Sequence, residues 1–85
     1  MAGRKRDWKP GEQEAVQEVI GQLRELRKRG RQTQGEVARL VGIGQSYLSE
    51  LENGCHLEVS LAMIARLARG LGYDFKVTLS KRTEG

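Results

Sequence analysis

Apolar residues recur along this chain in two rhythms, and the change from one to the other divides it. From Val16 onward Val16, Val19, Ile20, Leu23 and Leu26 stand at i, i+3, i+4 and i+7, the stripe of an amphipathic helix. Pro10 suits the first turn of that helix, and Gly21 weakens it by about 1 kcal/mol relative to alanine without forbidding it. A second helix is predicted to start at Gln34. Thr33 and Glu36 form the S/T-x-x-E pattern of a capping box, Val37, Ala38, Leu40 and Val41 follow at helical spacing, and Gly42 offers the positive φ of a helix end. Ile43 then plugs the gap to a third helix, capped by Gly44, a weaker N-cap than serine or aspartate. Leu48 and Leu51 face inward from it, and Asn53-Gly54 ends it. Ser60 caps a further helix carrying Leu61, Met63, Ile64, Leu67 and Ala68, ending near Gly70 or Gly72.

Past Gly72 the rhythm becomes strict alternation: Tyr73, Phe75, Val77 and Leu79 on one side, Asp74, Lys76, Thr78 and Ser80 on the other. This predicts a β-strand over residues 73–80. A lone strand cannot satisfy its own backbone, and no other stretch reads as its partner. Two solutions stand: pairing with the same strand of a second chain across a two-fold axis, with Tyr73, Phe75, Val77 and Leu79 as dimerisation residues, or docking on the chain's own helices.

The third helix leaves Gln45, Ser46, Tyr47, Ser49 and Glu50 facing outward. A face meant only for solvation is ordinarily rich in lysine and glutamate. Glutamine, serine and glutamate near a helix N-terminus are groups able to read base edges, and that is the part of the second helix of a helix-turn-helix that enters the major groove. The competing reading is an ordinary polar helix face.

Composition narrows the field. At 85 residues the chain is one small domain, near the size where a single core is marginal without a partner. Its net charge of +4 fits a polyanionic partner and equally a basic protein with none. No run is apolar enough for a membrane span or a signal peptide, so a cytoplasmic protein without membrane contact is expected. One histidine, one cysteine and no paired carboxylates leave no catalytic set, no metal site and no cofactor, and an enzyme is not expected. Cys55 reads most simply as a small loop residue; an intermolecular disulfide or a redox sensor is the alternative. His56 reads as a phosphate contact or a solvated loop side chain. The arm over residues 1–9 carries Arg4, Lys5 and Arg6, either solvated or lying along phosphates or in a minor groove, and an exposed Trp8 suited to a partner's pocket. The expected organisation is arm 1–9, helical domain 10–72, strand 73–80 and tail 81–85.

The residues Thr33-Gln34, Glu36-Val37-Ala38, Val41-Gly42-Ile43 and Leu48 to Gly54, with Leu26-Arg27, Ser60-Leu61, Leu67-Ala68 and Leu71-Gly72 around them, resemble the phage repressor and Cro-type, or XRE-like, helix-turn-helix family. The resemblance covers roughly residues 23 to 72 and departs at Gly44, where many members carry a side chain that caps the helix or touches phosphate. It implies a mainly α, four- to five-helix repressor-like domain that binds double-stranded DNA, usually as a homodimer. It further implies base contacts from Gln45, Ser46 and Glu50, and an arginine at Arg27 set against the glutamate at Glu52 and near a phosphate. Gln34, Tyr47, Asn53 and His56, with Arg31, join Arg27 as candidate contacts to the DNA backbone; for Tyr47 a packing role stands beside this. The ending Leu67-Ala68-Arg69-Gly70-Leu71-Gly72 before a short apolar strand is similar to antitoxin-type members, which implies a toxin protein as a second class of partner. The two functions expected are therefore a dimeric repressor of a palindromic operator and an antitoxin that also autoregulates its operon.

Overall fold

The computed structural model describes residues 10–56 and 58–82, with side chains from residue 12. The basic arm and Trp8 lie outside the described residues, as does the end of the tail. Four helices follow in order: α1 (Pro10–Arg29), α2 (Gln34–Val41), α3 (Gln45–Glu52) and α4 (Leu61–Gly70). Helix α2 packs on α3 and α4, and α1 packs on the same two. Each helix delivers its inward stripe to one core: Ile20 and Leu23, Val37 and Ala38, Leu48 and Leu51, and Ile64, Leu67 and Ala68. Val16, Val19, Ile43, Met63 and Leu71 close its margins.

The helix ends follow from local chemistry. Thr33 Oγ1 accepts from Glu36 N at 3.0 Å while Thr33 N donates to Glu36 Oε1 at 2.8 Å, so the capping box is complete. Ser60 Oγ accepts from Met63 N at 3.0 Å at the head of α4. Gly42 closes α2 at φ 80°, and Gly72 turns the chain out of α4 at φ 92°. The end of α1 is less ordinary. The left-handed position there is taken by Arg31, at φ 57°, and not by the adjacent Gly30. Gln32 N donates to Arg27 O and Arg31 N to Lys28 O, which is the Schellman pattern of closure.

The predicted strand is corrected by the structure: among the described residues no strand forms, and 73–82 runs on without regular structure after α4. The physical reason lies in the alternation itself. A strand exists only as part of a ladder, and with no second strand among the described residues there is nothing to build one. The alternating face is also divided. Phe75 is half-buried and packs against the helical core, whereas Tyr73, Val77 and Leu79 are exposed, Leu79 to 94%.

Candidate DNA-reading face

The candidate face begins with the turn between α2 and α3. Gly42 N and Ile43 N both donate to Ala38 O at 2.9 Å, which swings the chain so that Ile43 packs back on the core. Gly44, extended at φ −75° and ψ 146°, then starts α3 and supplies no side-chain cap. The first amide groups of α3 have no partner within the helix and none from a capping side chain, so they are left to solvent or a ligand.

From that start Gln45, Ser46 and Glu50 stand exposed, while Leu48 and Leu51 on the opposite stripe are buried. Gln45 lies over the N-terminus of α2. Its Oε1 would be 3.1 Å from a Cβ at Gly35, so the bare backbone there leaves room for the amide. Tyr47 is half-buried against the core, and its ring meets that of His56 edge-on, with centroids 5.1 Å apart and planes at 67°. His56 Nε2 lies 3.0 Å from Glu50 Oε1. Asn53 is exposed and its Nδ2 reaches Ser49 Oγ at 3.5 Å, the outer limit of a hydrogen bond.

Behind this face a charged brace joins three helices. Arg27 of α1 donates from Nε to Glu52 Oε2 at 2.7 Å and from Nη2 to Glu52 Oε1 at 2.8 Å, a bidentate pair, and its Nη1 donates to Gln32 O at 2.7 Å. Gln34, at the start of α2, adds a bond from Nε2 to Glu52 Oε1 at 2.9 Å, and Arg24 Nε stands 3.9 Å from the same oxygen. The pair is nearly shut off from water, with side chains 11% and 5% exposed. Burial pushes the Glu52 carboxyl upward, but hydrogen bonds from Arg27 and Gln34 and the charges of Arg27 and Arg24 outweigh it, leaving the group below its ordinary value. Hydrogen bonding to Glu52 likewise holds the Arg27 guanidinium above its ordinary value against the opposing effect of burial.

The structure thus gathers Gln45, Ser46, Tyr47, Glu50, Asn53 and His56 on and around α3, and sets Arg27 and Gln34 behind them with their polar groups turned to Glu52. Three participants escaped the sequence. Gln17 of α1 donates from Nε2 to His56 O at 3.2 Å, Gln32 supplies a carbonyl to Arg27, and Gly35 makes way for Gln45. Only Gly35 carried a signal: a glycine inside an eight-residue helix costs about 1 kcal/mol and calls for a reason. Among the described residues no group of acidic, histidine or cysteine side chains is arranged to hold a metal ion, and no helix is long and apolar enough to cross a membrane.

Comparison with curated proteins and with solved structures found no match. The model of a family described as a helix-turn-helix domain matches residues 21–76, well over half of the chain and inclusive of the capped α2, the Gly42 turn, the exposed α3 and the brace. The chain belongs to this helix-turn-helix domain family, whose members bind DNA in transcription regulation.

Proposed function

We propose that the protein is a sequence-specific transcriptional repressor that binds a palindromic operator as a dimer. The observation that carries the reading is the face of α3: Gln45, Ser46 and Glu50 are exposed at and after its uncapped N-terminus, while the rest of the helix is fixed by Leu48, Leu51 and the Glu52 brace. A base-reading helix needs both properties, exposed donors and acceptors in front and a rigid mount behind.

In this reading Gln45 bonds an adenine edge through both amide atoms, Ser46 bonds either base type, and Glu50 accepts from a cytosine amino group. The amides opening α2 and α3 take phosphate oxygens at the positive ends of the helix dipoles, with Asn53 and Arg31 holding the backbone alongside. Arg27 and Gln34 act mainly through Glu52, keeping α1, α2 and α3 in register. Two copies joined through the exposed Tyr73, Val77 and Leu79 of residues 73–79 present two such helices to half-sites one helical turn apart, roughly 34 Å. Repression follows from occupying a promoter.

Selection of bound duplexes from a randomised DNA pool tests this. The expected product is an inverted repeat with half-sites one turn apart; enrichment of an unsymmetric site would contradict the dimer, and no enrichment at all would contradict sequence reading.

One observation favours the antitoxin as a second reading. A groove between α2 and α4 is bordered by Leu40, Val41, Ala62 and Ala65, with Leu40 62% exposed, on helices whose outer faces the DNA contact does not use. Co-purification with the product of a neighbouring gene, and toxicity of that product expressed alone, would be the signature of that function.

A further inference from the structure

We propose that His56, a residue of the loop behind α3, makes Glu50 a reader of cytosine by fixing its carboxylate. The proposal rests on the assignment of α3 as the DNA-reading helix and names a specificity determinant outside it.

Its basis is the place of the imidazole. Tyr47 and Glu50 are three residues apart and share one stripe of α3. The His56 ring spans that stripe, edge-on to Tyr47 at a centroid distance of 5.1 Å and with Nε2 at 3.0 Å from Glu50 Oε1. The loop that carries it is itself held from α1, since Gln17 Nε2 donates to His56 O at 3.2 Å. Gly54 makes the preceding turn at φ +78°, and a Cβ there would come within 2.9 Å of Gln17 Oε1, so the loop lies close against that side chain. With its backbone tied to α1 and its ring set by Tyr47, Nε2 has a defined position. An ionised carboxylate only accepts hydrogen bonds, so Nε2 is the protonated nitrogen and Oε1 is committed to it.

The chemical consequence concerns the other oxygen. An untethered glutamate moves among rotamers and can turn either oxygen toward any amino group in the major groove, which adenine and cytosine both present. Held through Oε1, Glu50 offers Oε2 in one orientation. The adenine amino group is flanked by acceptors on both sides, its own N7 and the O4 of the paired thymine, and a fixed carboxylate cannot turn away from either. The cytosine amino group has an acceptor, guanine O6, on one side only. Fixing the carboxylate therefore penalises adenine more than cytosine.

The test uses the full chain and the selected duplex at fixed salt, varied through all four base pairs at the position whose preference changes in Glu50→Ala. His56→Ala is expected to lower the preference for cytosine over adenine there about tenfold. His56→Gln, which keeps an N–H donor near the place of Nε2, is expected to retain most of it. In the Glu50→Ala background His56→Ala is expected to change the profile no further. The readout is a ratio of affinities from one sample, so partial unfolding of a variant cancels. An unchanged preference in His56→Ala, with Glu50→Ala abolishing it, overturns this proposal alone; an intact profile in Glu50→Ala overturns base reading by Glu50 and this proposal with it.

Discussion

Glu52 is the residue on which three helices converge, and its chemistry predicts how the fold responds to acid. Removing Arg27 from this nearly buried ion pair leaves the Glu52 carboxylate with only the Gln34 amide and the more distant Arg24, at a cost of about 3 kcal/mol. Arg27→Met should thus lower the melting temperature by roughly 10–20 °C in a domain of this size. Arg27→Met with Glu52→Met should recover much of the loss, because no charge then remains buried. The carboxyl of Glu52 is lowered on folding, so its contribution is complete above the unfolded value of about 4.3 and disappears as pH falls through the folded one. Stability measured against pH should then fall more steeply in acid for the wild type than for Glu52→Gln. Equal slopes would show that the carboxylate is not linked to folding. The pairing of Arg27 with Glu52 is implied by the family resemblance, whereas the contact of His56 with Glu50 stayed hidden, because a loop side chain's position depends on the path of the loop, here set by Gln17 and Gly54, and no periodicity encodes that.

Helices were the most legible elements because their boundaries are set by residues within a few positions of one another. The Thr33 and Glu36 box, the Gly42 turn and the Ser60 cap each announce an end, and each is formed in the structure. Packing between elements was less legible. Gly70 ends α4 against Val41 of α2, and a Cβ on it would run into Val41 Cγ1. Gly21 carries no such constraint, since nothing lies within 4 Å of the Cβ position in the middle of α1. The two glycines look alike in the sequence and should behave oppositely on replacement. Gly70→Ala is expected to destabilise by about 1–3 kcal/mol through overpacking, while Gly21→Ala gains about 1 kcal/mol of helix propensity. The urea midpoints should move in opposite directions from the wild type; a shared direction would place the helix contact elsewhere.

For the whole molecule, the distribution of apolar surface decides whether one copy is complete. Phe75 returns to its own core, but Tyr73, Val77 and Leu79 remain outside on a segment without a ladder. Alternation was legible in the sequence; the structure adds that a single chain does not convert it into a strand. The mass in solution should be that of a dimer for the full chain and of a monomer for a chain ending at Gly72. Two monomers, or two equal dimers, would remove this segment from the interface. The claim on which function depends is that α3 meets the DNA. Amide chemical shifts of the labelled protein titrated with its selected duplex test it most directly. The largest changes are expected at the N-terminus and exposed face of α3, from Gln45 to Glu50, with smaller ones at the start of α2; changes centred on α4 or the outer side of α1, with α3 undisturbed, would contradict the account.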